Sequence, residues 1–298
     1  MIQLRLRKYF VWIGVAAAGL TVTAAHAQQQ GPPPSGPAPI LVTVREMPKP
    51  GEEATHAKLE AEYATAMDAD KAKQYYLGMG EISGSEQTMF LSGYASLEEM
   101  QAVHDYDDAL IGDKLDSLEA EHNATLLGSK TAIWRLRPDL SNPEPESLGT
   151  MRFMDLIQIH VKLGHDTEFS DVIRKTGEIW IQTDPSFHFT IYQEIFGNSK
   201  DDTFLIVFPV KSLADLDKHQ SLAAEYMKNM GADTHKKILG IESADYNSIE
   251  SNLYVFSPSM SRLPDTWTKN DMDFWHPKPL RTAAANKTTT TGKTTTAK

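Results

Sequence analysis

Apolar and polar residues alternate along two short runs, "VTVRE" (42 to 46) and "LIQIHVK" (156 to 162), as the period-2 burial of a strand demands. Each run leads to a glycine turn, Pro50-Gly51-Glu52 or Gly164-His165-Asp166, and then to a helical pattern. In the second stretch, Phe169, Val172, Ile173, Ile179 and Trp180 fall near helical spacing and predict a helix over 167–183. Two β-rich runs follow, 187–196 and 203–210, separated by the hairpin signal "GNSKDD". A second helix is predicted over 212–230, capped by Ser212 with Asp215 at the third position, and "NLYVFS" (252 to 257) closes the unit. The first stretch reads in the same order through 40–47, 52–69, 74–83, 87–94, 96–126 and 131–137.

The two stretches also echo one another residue by residue. Trp134, Pro138 and Ser141 match Tyr254, Pro258 and Ser261 at an offset of 120. Gly51/Gly164 and Glu81/Glu194 share an offset of 113, and Ser96/Ser212 one of 116. The run "VTVRE" laid on "IQIHV" sets Arg45 against His160. Offsets that drift by loop-sized steps are what a duplicated unit with small insertions produces. The order βαββαβ is that of the ferredoxin-like motif, an antiparallel sheet with both helices on one face. Its bare apolar face must be covered. The expected class is therefore α+β: two tandem ferredoxin-like units, 40–142 and 150–264, with their bare faces together in an intrachain pseudo-dimeric α+β barrel.

The flanks change the picture of where the chain works. Arg5, Arg7 and Lys8 precede an apolar run (9 to 22), and Ala25-His26-Ala27 supplies the small residues of a signal-peptidase site. Residues 1–27 read as a signal peptide and the mature chain as periplasmic or secreted, with no transmembrane segment after cleavage. Residues 28–39 form a Pro/Gly/Gln-rich linker, and 265–298 a C-terminal extension ending in a disordered Thr/Lys tail. There is no cysteine, which excludes disulfides, thiolate catalysis and thiolate metal sites. Loss of the three basic leader residues takes the formal charge from −11 to −14, a surface that repels nucleic acid.

"VTVREMPKPGEEATHAKLEAEYATA" (42 to 66) resembles the first strand, Pro-Gly turn and helix of the dimeric α+β barrel superfamily, with the antibiotic-biosynthesis-monooxygenase and NIPSNAP groups the nearest in pattern. "IQIHVKLGHDTEFSDVI" (157 to 173) repeats it. The resemblance implies the fold, and a ligand cavity either between a sheet and its helices or inside the joined sheets. It also offers two activities, cofactor-independent oxygenation of aromatic compounds and the handling of haem. The first helices carry His56 and Trp180 but no Asn, and the two copies disagree, so no catalytic residue transfers.

Polar residues that alternate on the first strands mark a candidate lining for a small organic ligand. Arg45, Gln158 and His160 would meet an anionic or carbonyl-bearing group, while Trp134, Tyr192, Glu194 and Tyr254 would complete the pocket, with Tyr76 and Glu81 beside them. No metal site is assigned: His160, His165, Asp166 and Glu168 match no compact ligand spacing, and "HDYDD" (104 to 108) reads as a solvated helix face. No cofactor is assigned, and the internal duplication removes any requirement for a homo-oligomer. Three readings follow. The main one is an exported small-molecule-binding protein; the others are a monooxygenase or haem-handling enzyme on the same scaffold and a structural module of the envelope.

Overall fold

Alternation becomes strand and glycine becomes turn in a computed structural model that describes residues 36–144, 148–197 and 200–277. The signal peptide, most of the linker and the Thr/Lys tail lie outside the described residues. The first half runs β1 (Ile40–Pro48), α1 (Glu53–Ala69), β2 (Leu77–Glu81), β3 (Thr88–Tyr94), α2 (Leu97–Ala124) and β4 (Leu126–Leu136). The second runs β5 (Phe153–Val161), α3 (Asp166–Thr183), β6 (Thr190–Phe196), β7 (Asp202–Val210), α4 (Leu213–Ser221), α5 (Ala223–Met230), α6 (Ala232–Asp245) and β8 (Tyr246–Phe256). Two short helices, α7 (Asp265–Thr268) and α8 (Met272–Trp275), follow.

All eight strands pair antiparallel into a closed barrel of order β1-β3-β2-β8-β5-β7-β6-β4. A closed sheet has no exposed edge. The halves meet at two seams, β2 with β8 and β4 with β6. Their ladders correspond in register. Ile40 faces Arg135 and Tyr94 as Phe153 faces Val255 and Val210, which sets offsets of 113, 120 and 116 between the halves.

This register corrects one expectation. Arg45 corresponds to Gln158, not His160, and Met47 takes the place opposite His160. A slip of two residues leaves the inward or outward sense of every side chain unchanged, so alternation alone is blind to it.

Period-2 burial divides the core into layers. Leu41, Leu91, Trp134, Leu156, Leu205 and Tyr254 point into the barrel. Ile40, Val42 and Val44 point outward against Tyr63, Met67 and Ile111 of α1 and α2. Ile159 and Val161 do the same against Phe169 of α3, with Phe204 beside them.

The helix predicted over 212–230 is two helices in the structure, α4 and α5, and a third, α6, follows it. The chain bends at Leu222 and again at Gly231, whose φ of +73° lies where glycine is free and other residues are strained. Helix α6 and the first half of β8 occupy a stretch that the sequence reading left without structure. Ser212 and Asp215 form the expected capping box, and Ser96 accepts a bond from the Glu99 amide at the start of α2. "HDYDD" is not a solvated face throughout, because Asp107 is buried and accepts bonds from the Lys73 and Gln74 amides at 2.7 and 2.9 Å.

The two echoing tails dock alike. Ser141 Oγ donates to the Arg137 carbonyl and accepts from the Ile191 amide on β6. Ser261 Oγ donates to the Ser257 carbonyl and accepts from the Gly78 amide on β2. Each tail therefore grips the second strand of the other half. Beyond Ser261 the extension folds back, and Trp275 packs near Phe256 at one end of the barrel and donates from Nε1 to the Gly149 carbonyl.

Candidate functional site

The barrel interior has an apolar end and a polar end. Trp275, Met154 and Phe256 fill the first. At the other, β1, β4, β5 and β6 bring Arg45, Lys130, Trp134, Gln158 and Glu194 around a cavity of about 20 Å³. Trp134 is held in place there by a 2.9 Å bond from Nε1 to Thr43 Oγ1. One residue pair further out, His160 Nε2 lies 3.1 Å from Gln158 Nε2, and His160 Nδ1 lies 3.1 Å from Thr203 Oγ1. Arg45 faces Glu250 across 3.7 Å.

Of the seven residues expected to line a pocket, Arg45, Trp134, Gln158 and Glu194 do so and His160 adjoins them. Tyr192 and Tyr254 belong to the packed interior. Burial is the main cause that pushes the Tyr254 hydroxyl up to about 12, and burial alone holds the Tyr192 hydroxyl well above its ordinary range. Tyr76 lies on the other side of the sheet, in the helix-facing core, and Glu81 bonds with Asn252 at the β2–β8 seam. A cavity of this size holds about one water. Arg45 is only partly buried and Lys130 is exposed, so the cavity lies at the solvent-facing end of the barrel.

A second polar group lies on the outer face of the same strand, one residue on from Arg45. Glu46 ends the helix-facing row of β1; His56 and Glu60, four residues apart, share one face of α1. His122 comes from the last turn of α2. Glu46 Oε2 lies 2.9 Å from His56 Nε2 and 3.2 Å from His122 Nε2, and Glu60 Oε1 lies 2.7 Å from His122 Nε2. None of the four side chains is more than 5% exposed. Burial would push the Glu46 carboxyl up, but its bonds to His122 and His56 outweigh that and hold it well below the usual carboxylate range. Burial likewise works against protonated His122, and the two carboxylates outweigh it and hold its pKa above the ordinary value.

Sequence reasoning missed this group because its members lie up to 76 positions apart on three elements. A signal was present nonetheless. At the 113 offset of the glycine turns, His56 and Glu60 stand where the second half has Phe169 and Ile173.

No protein-family model matches the chain, and no curated protein matches it. Solved structures do. An anthrone oxidase-like protein superposes over 73% of this chain and 91% of its own at 12% identity, with a TM-score of 0.51. A protein named as a monooxygenase from Lactobacillus acidophilus covers 74% and 94% at 12% identity and a TM-score of 0.46. A chlorite dismutase variant from Candidatus Nitrospira defluvii covers 78% and 95% at 10% identity, also at 0.46. The chain shares the fold of the anthrone oxidase-like protein, and that fold is here a closed eight-stranded α+β barrel. At these identities the likeness shows the fold alone.

Haem does not fit the described residues of the second half. Between its sheet and helices, Val161, Phe169, Ile191 and Phe204 are fully buried against one another and leave no slot for a planar macrocycle.

Proposed function

We propose that this chain is an exported small-molecule enzyme of the α+β barrel class, with oxygenation of a small phenolic or enolic compound as the chemistry to test first. One observation carries the reading: Arg45, Lys130, Gln158 and Glu194 converge on Trp134 inside a barrel whose other end is apolar. A closed barrel needs only packed side chains in its interior, so polar groups gathered at one end point to a ligand. Two cations beside an aromatic plane suit an electron-rich oxyanion. His160 adjoins the cavity and holds Gln158, which donates to its Nε2, while its Nδ1 meets Thr203 Oγ1.

The same reading holds that the chain arose as two tandem ferredoxin-like units. Its supports are the corresponding ladder offsets and the matched bonds of Ser141 and Ser261. Export rests on residues 1–27 and is checked by the amino terminus of protein recovered from a periplasm, expected at Gln28.

The functional test is oxygen uptake by the purified mature chain across phenols, quinols and enolic acids, with native mass spectrometry to detect a bound compound. Turnover or a bound mass is expected, reduced at least about tenfold in Arg45→Ala and Lys130→Ala with the fold intact. Neither turnover nor binding across that panel would overturn the reading. Binding that both variants retain in full would move the site elsewhere.

A further inference from the structure

We infer that Glu46, His56, Glu60 and His122 form a binding site for one divalent first-row transition-metal ion, enclosed between the first half's sheet and its two helices. The site is distinct from the polar end of the barrel interior and does not depend on what that end binds.

Three independent observations converge on it. The first is donor geometry. Four side chains of metal-ligand type each offer a donor atom, and these atoms lie within 4.8 Å of one another. Zinc and its neighbours bind imidazole nitrogen and carboxylate oxygen at about 2.0–2.2 Å, so a tetrahedral site separates its donors by about 3.4 Å. The contacts of 2.7, 2.9 and 3.2 Å lie just inside that spacing. An ion at the centre requires these three pairs to part by about 0.2–0.7 Å, and every donor pair already lies within 4.8 Å.

The second is charge. Two carboxylates with two neutral imidazoles neutralise one divalent cation in full, which a site this deeply buried requires. Oxygen and imidazole donors without thiolate suit zinc, ferrous or manganous ions rather than cuprous ion.

The third comes from the second half. The ladder register and the helix starts place Ile159, Phe169 and Ile173 where the first half has Glu46, His56 and Glu60. Those three pack into an ordinary apolar layer. The architecture can thus close this space with hydrocarbon and does so once in the same chain. Four buried ionisable groups in the other copy are an addition that packing alone does not call for. The elements holding them also suit the task. Glu46 sits on a strand paired on both sides, and His56 and Glu60 sit one turn apart on a helix packed against it. The His56 and His122 ring centroids are 5.0 Å apart, which leaves both Nε2 atoms facing Glu46.

The test uses the full mature chain, stripped with chelator and then dialysed separately against zinc, ferrous (without oxygen), manganous and cobaltous salts. Elemental analysis is expected to find about one ion per chain for at least one of them. Rebinding should raise the thermal midpoint by several degrees. Cobalt should show intense visible bands of a four-coordinate site. His122→Asn and Glu60→Gln should lose at least about tenfold in affinity. Arg45→Ala, at the other site, should bind metal as the parent does, which separates this inference from the barrel-end reading. If the folded parent chain retains less than about a tenth of an ion under every condition and no salt shifts its midpoint, the inference is overturned and the cluster is a hydrogen-bonded ion network only. Metal that binds equally to the His122→Asn and Glu60→Gln variants would overturn it too.

Discussion

Ser141→Ala and Ser261→Ala test how the two halves hold each other. Each hydroxyl does two things: it accepts the amide of a strand from the other half at 2.9 Å and donates to a carbonyl four residues earlier in its own tail. The amides of Ile191 and Gly78 are both buried, so water cannot replace the lost acceptor. A buried donor left unsatisfied costs about 1–3 kcal/mol. Each single variant should therefore lose about that much, and the two losses should be similar because the partners correspond. The two contacts belong to seams on opposite sides of the barrel. Separated sites add to within about 0.5 kcal/mol, so the double variant should lose about 2–6 kcal/mol. That is a large share of the 5–15 kcal/mol that holds a typical domain. Urea denaturation followed by tryptophan fluorescence and circular dichroism measures all four proteins, with unchanged slopes expected for the singles. A loss below about 0.5 kcal/mol at one serine with about 2 at the other would refute the claim that the two tails act as equivalent clamps.

Three further outcomes follow from particular contacts. Gly78→Ala would set a Cβ 2.3 Å from the Met260 carbonyl oxygen, a backbone atom that cannot step aside, and should cost about 1–3 kcal/mol in the same denaturation assay. Arg262→Ala removes a buried guanidinium that bonds exposed Asp68 at 2.6 Å and the carbonyls of Ala72 and Gln74, and the stranded carbonyls set an expected loss of about 1–3 kcal/mol, only partly recovered in Arg262→Lys. Burial raises the hydroxyls of Tyr94 and Tyr254 to about 12. Their folded values exceed the unfolded one, so the stability they confer is complete below about pH 10 and is lost as pH rises toward 12, at about 1.4 kcal/mol per unit for each group. An ultraviolet titration in which every tyrosine ionises near pH 10 while the fold persists would contradict this.

Much of the barrel was legible because its signals are local. Alternation located the strands, Gly51 and Gly164 marked the turns, and Ser96 and Ser212 marked helix starts. The registry of one half on the other was less secure, since Arg45 and His160 share a parity but not a rung. The break at Gly231 hid helix α6, because its stretch lacks a clean apolar stripe and its neighbours ran together as one pattern. At the polar end of the barrel, Arg45, Gln158, Glu194 and Trp134 could be named from their inward positions on strands. Lys130 could not, since the start of β4 carries no alternation to mark it. Glu46, His56, Glu60 and His122 assemble only when a strand and two helices pack, and nothing in their spacing along the chain announces it.

The cyclic strand order also sets the order of events during synthesis. Strand β2 is complete by residue 81, yet its neighbour β8 does not exist until residues 246–256 have been made. Strand β4 can find its partner β6 once residue 196 has been made, but β2 stays an open edge until β8 arrives. Pairings between such distant parts of a chain form slowly, and unpaired edges invite pairing with other chains. A ribosome stalled before residue 246 should therefore carry a nascent chain that aggregates or recruits chaperones, and release of the last strand should end that hazard in one cooperative closure.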